Sequence, residues 1–268
     1  VPKATRLDFE GTPFLDTSHT GAYRDRLNWR AEILLTRNRE VLEGKRVLDL
    51  ASHDGRFSYA CLKLGASRVV GIEEGRPHLI QSSNENLRKL GYPDGVFEFR
   101  QGDIFDRRAT IPRGAFDTIL CLGWLYHTVR QIELMREFQR LRPAHLILDT
   151  GVMPDVFQDP LVRTALRVRG WLQGRRRGSK PARSSDPYLG YLLLAKEDSA
   201  LEGATIDSLN AIAYPTKSFV EFFLSQVATD YRELTWREQG IADWSTLSDH
   251  GDGTRVTYLA HKPPSGTG

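Results

Sequence analysis

Arg46-Val-Leu-Asp-Leu-Ala-Ser-His-Asp-Gly-Arg56 is followed, after a helix-like stretch from Arg56 to Leu64, by Arg68-Val-Val-Gly-Ile-Glu-Glu-Gly-Arg76. The first apolar run closes on Asp49 and small residues, the second on Glu73-Glu74. That order predicts neighbouring parallel strands, with a tight turn at the carboxyl end of one and a carboxylate at that of the other. In open α/β sheets the crevice outside these ends receives nucleoside ligands. A carboxylate roughly 20 residues past the turn is where ribose hydroxyls are held.

Outward from this unit, the pattern continues as a helix over Pro77 to Leu90 and a strand over Val96 to Ile104. A strand over Phe116 to Leu122, a helix over Val129 to Leu141 and a strand over His145 to Thr150 come next. Such alternation predicts an α/β fold with a Rossmann-like, mostly parallel sheet and helices on both faces. Lys217 to Val227 has Phe219, Val220, Phe223, Leu224 and Val227 on one helical face. Tyr231 to Glu238 and Arg255 to Lys262 read as an antiparallel pair completing seven strands. The expected organisation is an N-terminal helical extension or cap (1–42), an α/β core (43–152), a basic insertion or lid (153–214) and a C-terminal completion of the sheet (215–263). The cap helix is expected to run from Tyr23-Arg-Asp-Arg to about Leu42.

At 268 residues with 40% hydrophobic and 26% charged content, the chain has a globular composition rather than a disordered one. Its two cysteines, Cys61 and Cys121, both lie in apolar stretches, which argues against a disulfide framework and for a reducing compartment. No apolar run approaches the roughly 18 residues that span a bilayer, and the first residues carry no hydrophobic signal core. A cytoplasmic protein without membrane contact is the expectation; the oligomeric state is not readable. Arg163, Arg167, Arg169, Arg175, Arg176, Arg177, Lys180 and Arg183 crowd one stretch around Trp171. A solvated loop, a lid and a polyanion-binding patch all fit it, and nucleic acid is allowed through 163–183 without being favoured.

The turn itself narrows the ligand. A pyrophosphate site wants Gly-x-Gly-x-x-Gly, whereas this turn is Ala51-Ser52-His53-Asp54-Gly55 with Asp49 before it. Two carboxylates disfavour a diphosphate and suit a ligand that carries an ammonium group. The pattern resembles the first motif of class I S-adenosylmethionine (SAM) methyltransferases, with Ala51 and His53 at positions usually held by glycine. The resemblance implies SAM as cofactor. Asp49 would lie near its aminoacyl end, Ala51, His53 and Gly55 along it, and Glu73 and Glu74 at the ribose. Asp103 would accept from the adenine amino group with Ile104 against the ring, and Leu122 would end the strand that faces the sulfonium. His53, as the bulky exception, points away from the cofactor or touches its carboxylate.

A closer likeness is carried by Val47-Leu-Asp-Leu, Val70-Gly-Ile-Glu, Leu122-Gly-Trp-Leu-Tyr-His127, Ala213-Tyr-Pro-Thr, Glu238-Gln-Gly-Ile-Ala-Asp-Trp244 and Leu259-Ala-His-Lys-Pro263. Together they resemble the tRNA wobble-uridine carboxymethyltransferases and their uncharacterised relatives. The departures fall where that family reads the extra carboxylate of its cofactor. Gly240 stands where a basic residue is expected, and the N-terminal Trp-Lys features are missing around Arg24 to Arg30. A carboxylate without an opposing cation is poorly held, so ordinary SAM and a plain methyl transfer are expected.

For an acceptor hydroxyl the protein must align the oxygen and remove its proton. His127 beside the sulfonium is the candidate base, against the plainer reading of a packing histidine. Tyr126 is a second candidate for the transfer step, or lines the methyl site without chemistry, and His53 and His145 are reserve bases. A divalent ion would lower the hydroxyl pKa. Asp149 is the candidate Mg²⁺ ligand, with Asp155 nearby and the Asp249-His250-Gly-Asp252 loop supplying others. The leading expectation is O-methylation of a polar small molecule, with a sugar favoured because Trp29, Trp124, Trp171 and Trp244 fall near predicted site loops. The alternatives are a tRNA-modifying methyltransferase and a SAM-binding module without catalysis; a nicotinamide enzyme is disfavoured by the turn.

Overall fold

Alternation along the first strand divides two apolar cores, one on each face of the central sheet. Val47 packs with Val69, Phe97, Leu120, Ile147 and Leu259 on one side, and Leu48 and Leu50 with Val70, Ile119, Leu146 and Tyr258 on the other. In this computed structural model the described residues are 7–17, 23–74, 76–105, 111–155, 164, 189–196 and 211–262. The strands among them are β1 (Arg46–Leu50), β2 (Arg68–Glu73), β3 (Phe97–Gln101), β4 (Thr118–Leu122), β5 (His145–Gly151), β6 (Leu192–Lys196), β7 (Ala211–Pro215), β8 (Asp230–Glu233) and β9 (Arg255–His261). The helices are α1 (Phe14–Thr17), α2 (Arg24–Leu34), α3 (Arg56–Lys63), α4 (Pro77–Lys89), α5 (Gln131–Leu141), α6 (Lys217–Val227) and α7 (Ser248–Gly251).

Seven strands form the sheet in the order β3-β2-β1-β4-β5-β9-β8. β1 to β5 are parallel, and β9 runs antiparallel between β5 and β8. The expected seven-stranded α/β architecture is therefore present. Helices α2 and α3 cover the first core, α5 and α6 the second. Because β1 and β4 are adjacent while their connections leave in opposite directions, a crevice opens at their carboxyl ends.

Two expectations, on the N-terminal helix and on β8, need correction. The N-terminal helix stops at Leu34 instead of continuing to Leu42, and a 3-10 segment follows over Thr36–Val41. The cause is Asn38, buried and non-helical, whose amide donates to the carbonyls of Ile33 and Leu34 at 2.9 and 3.0 Å. Those acceptors would otherwise end the helix unpaired. β8 covers Asp230–Glu233 only, since Arg237–Gln239 forms a 3-10 turn beneath buried Trp236. The region read as insertion or lid contains an antiparallel ribbon of β6 and β7, joined through register pairs such as Leu193 with Tyr214. The basic stretch 163–183 lies outside the described residues, apart from Thr164.

Gly71 fixes how β2 meets β3 and the β1 turn. A Cβ there would lie 2.4 Å from the Phe99 ring and 2.6 Å from Ser52 Oγ. Gly71→Ala is expected to destabilise the fold by about 1–3 kcal/mol through overpacking, read as a lower midpoint in urea unfolding at unchanged slope.

Candidate active site

The β1 turn keeps the backbone of a glycine motif without its glycines. Ala51 and His53 both have φ of 53°, and Gly55 has 84°. Each non-glycine residue in this left-handed region costs about 1–2 kcal/mol. The surroundings hold it there. Ser52 N donates to Ile72 O at 3.1 Å, His53 N to Glu73 Oε2 at 2.9 Å, and Ser83 Oγ to His53 O at 3.0 Å. Glu73 is thus brought to the turn by its own sheet pairing, and burial pushes its carboxyl pKa up. Half-buried Glu74 follows it.

His53 Nδ1 lies 2.6 Å from Arg56 Nη2, so Nδ1 accepts and Nε2 carries the proton. That Nε2 is buried without a partner among the described residues. Burial also lowers the His53 pKa, which favours the neutral ring. An N–H held this way is what a ligand carboxylate over the turn would satisfy, so the residues present fit the aminoacyl end of SAM.

The two acids of the turn are less open than the sequence suggested. Asp54 is fully buried, bonded to Arg56 Nε at 2.8 Å and Thr17 Oγ1 at 3.1 Å. Burial raises its pKa, but Arg56 and His53 outweigh that and hold it at about 2. Its charge is therefore matched within the fold rather than offered to an ammonium. Asp49 lies under the turn, accepts from Ser58 Oγ at 2.7 Å, and is pushed up to about 7 by burial. Asp103, at the end of β3, accepts from Phe105 N at 2.7 Å and pairs with Arg130 at 3.0 Å, next to buried Ile104. It caps its own turn while remaining partly exposed at the crevice.

Leu122 ends β4, and Gly123 (φ 83°) turns the chain into a 3-10 segment, Leu125–His127. The Tyr126 ring stacks on Tyr214 of β7 at 5.2 Å and 7°, and lies 4.1 Å from His127. Gly151 admits this stack, since a Cβ there would be 3.3 Å from Tyr214 and 3.5 Å from Tyr126. Burial, helped by Arg255 and Arg76, pulls the His127 pKa down to about 4. The ring is neutral across the physiological range.

Beside this corner sits a buried ion network absent from the sequence reading. Asp149, fully buried on β5, accepts from Arg30 Nη2 at 2.6 Å, Arg255 Nη1 at 3.1 Å, Thr257 Oγ1 at 3.0 Å and His250 Nε2 at 3.2 Å. Asp249 takes two bonds from Arg26, at 2.8 and 2.7 Å, and one from Arg255 Nε at 2.8 Å. Burial would raise the Asp149 pKa, but Arg255 and Arg30 reverse the direction and hold it well below the usual range. The expected Mg²⁺ ligation by Asp149 is corrected accordingly. Both oxygens already face cationic or polar donors, and a dication beside two guanidiniums is electrostatically opposed. The Asp249-His250-Gly-Asp252 segment is likewise no ligand loop: Asp249 serves the arginines, and the His250 ring lies tilted against Trp236 at 3.6 Å. Asp155 bonds to Ser218 Oγ. Among the described residues no three His, Cys, Asp or Glu side chains converge as a metal site.

Other candidates are redistributed. His145 is at the amino end of β5, away from the crevice, with Nδ1 2.9 Å from His261 Nδ1; it is not a reserve base. Trp124 is buried and offers no open face to a sugar, while Trp29 and Trp244 are partly buried against the core. Trp171 lies outside the described residues. Arg30, Arg255 and Tyr214 were missed. The first two come from opposite ends of the chain and bring two guanidiniums beside Gly123, although Gly240 and the Arg24–Arg30 stretch lack the basic features expected there. The Ala213-Tyr-Pro-Thr segment was the available signal for Tyr214.

Comparison with known proteins agrees with this geometry. Residues 42–152 match a family model described as a methyltransferase domain. A ribosomal protein L11 methyltransferase of Deinococcus radiodurans is 30% identical over 48% of this chain and 46% of its own length. A tRNA U34 carboxymethyltransferase of Alteromonas mediterranea is 29% identical over 42% of this chain and 34% of its own. The chain thus spans less than half the length of these curated relatives. Among solved structures, the N-terminal domain of EvdMO1 with SAH and D-fucose superposes with a TM-score of 0.57 at 17% identity, covering 90% of this chain and 84% of that one. Over residues 42–152 the chain is thus similar to methyltransferase domains, and its fold is shared with the EvdMO1 domain. No helix among the described residues is long and apolar enough to cross a membrane.

Two stability measurements check the site's construction. Ala51→Gly removes about 1–2 kcal/mol of left-handed strain and adds about 0.5–1 kcal/mol of glycine entropy, so a small rise in melting temperature is expected. Asp149→Asn leaves two buried guanidiniums without their shared counter-charge and is expected to cost about 3–5 kcal/mol in chemical denaturation.

Proposed function

We propose that the chain is a SAM-dependent O-methyltransferase that acts on a hydroxyl of a polar small molecule, a sugar being favoured, with His127 as general base. The observation that carries this reading is the neutral, buried imidazole of His127 just past the carboxyl end of β4, against Tyr126. When bound, SAM supplies an electrophilic methyl group on a sulfonium. The chain's part is to hold the cofactor along Ala51–Gly55, Glu73, Asp103 and Leu122, to align the acceptor oxygen opposite the methyl carbon, and to receive its proton on the His127 ring. Burial keeps the base unprotonated, where an ordinary histidine near pKa 6.5 would be partly charged at neutral pH. Tyr126 and Tyr214 supply a flat aromatic wall.

A second reading, a tRNA-modifying methyltransferase, is supported by the relatives named for U34 carboxymethylation, over 42–44% of this chain. Arg30 and Arg255 add to it by supplying the cations whose apparent lack counted against a carboxylate-bearing ligand.

Incubation with methyl-labelled SAM and fractionated cell extract tests both. Label is expected in the carbohydrate fraction; label in tRNA alone would sink the sugar reading. His127→Ala should slow transfer about 10²–10⁴-fold with SAM affinity retained. Protonation of His127 abolishes the base, so kcat/KM, which reports the free enzyme, should fall only as pH drops toward about 4 and stay flat above about 6. An acid limb near 6.5, or an unimpaired His127→Ala, would remove His127 from the chemistry.

A further inference from the structure

Arg30 and Arg255 converge on the backbone where the proposed transfer takes place. A Cβ on Gly123 would be 3.6 Å from Arg255 Nη1 and 4.0 Å from Arg30 Nη2. Both side chains are 12% exposed. A guanidinium offers five N–H donors. Arg30 gives one hydrogen bond, from Nη2 to Asp149, and its Nε is buried with no partner among the described residues. Arg255 reaches Asp249, Asp149 and, at 3.4 Å, the Tyr126 hydroxyl.

Charge points the same way. The cluster holds Arg26, Arg30 and Arg255 against Asp149 and Asp249, with His250 between the two acids. Three guanidiniums outnumber two carboxylates in a poorly solvated place. Buried positive charge without a counter-ion is costly, and an orphaned buried N–H asks for an acceptor. A single anion would answer both. Planar N–H forks suit a carboxylate or phosphate far better than a neutral hydroxyl. The Tyr126 ring, 5.6 Å from the Arg255 guanidinium and stacked on Tyr214, forms the adjoining wall.

We propose that Arg30 and Arg255 read an anionic group on the acceptor: the molecule that receives the methyl carries a carboxylate or phosphate close to its reacting hydroxyl. This rests on the methyl-transfer reading of the same site and narrows it from a polar acceptor to an acidic one. The two arginines thereby set specificity, and neutral sugars become poor substrates.

The test titrates the SAH-saturated protein with acetate and, separately, inorganic phosphate at fixed ionic strength, following arginine Nε–Hε signals by ¹⁵N NMR. Arg30→Lys and Arg255→Lys keep a cation opposite Asp149 and identify the signals. The Arg30 Nε–H signal is expected to shift saturably, and Arg255→Lys to weaken the same anion at least about fivefold. The tighter of the two probes names the group as carboxylate or phosphate. Shifts that follow ionic strength alone, or an affinity unchanged in Arg255→Lys, overturn the proposal. Should the lysine variants not fold, the wild-type titration decides by itself, because a silent Arg30 signal is sufficient refutation. Failure to take up SAH would strike the methyl-transfer reading itself, whereas SAH uptake with silent arginines would strike this inference alone.

Discussion

The carboxylate of Asp149 is the constraint around which the reactive end of the fold is arranged. It sits on β5 with no exposure, so its charge persists only if cations come to it. They arrive from α2 through Arg30 and from β9 through Arg255. The antiparallel entry of β9 makes the second meeting possible, because register sets Arg255 opposite Gly151 and Thr257 opposite Asp149 itself. The first requires α2, packed on the first core, to direct Arg30 at β5. One buried acid thereby draws residues more than a hundred positions away, on either side, into a single wall. Removal of a buried partner is far costlier than the pair's net worth, so the arrangement is rigid once made.

The two halves of the site are joined at Gly123, whose N–H donates to Asp149 O at 2.6 Å. On the β1 side lies the left-handed turn, strained at Ala51 and His53 and tied by amide bonds to Glu73 and Ser83. Strain of this kind survives only where the surroundings over-determine it. The turn meets that condition, since its bonds run to β2, to α4 and through Asp54 to Thr17 at the end of α1. A glycine motif can therefore lose two glycines and keep its path.

What the sequence discloses follows from the range of the forces involved. Period-2 and period-3.6 patterns are local, and they gave the strands, the helices and the sheet's closure by an antiparallel strand. Asp49, Glu73 and Asp103 were legible because strand ends place them by number alone. The helix break at Asn38 was not, since it depends on a buried amide that also accepts from Arg232 at 2.7 Å. Asp149 was found as an acid in the right place and given the wrong partner, because its arginines are far off in the chain and no spacing rule links them. Trp124 failed for a similar reason: proximity to a loop says nothing about which way a ring faces, and this one turns inward to the second core.

The arginine wall bears on the base as well as on the acceptor. Burial is the main reason that His127 is hard to protonate, and the field of Arg255 is next. An acceptor anion lodged on Arg30 and Arg255 would cancel much of that field at the imidazole. The base would then regain affinity for a proton as the acidic acceptor binds, which is when a hydroxyl proton has to be taken. A neutral acceptor would leave the field in place and find His127 a weaker base. In the proposed complex the pair thus selects twice, by holding an anion and by sharpening the base that acts on its neighbour.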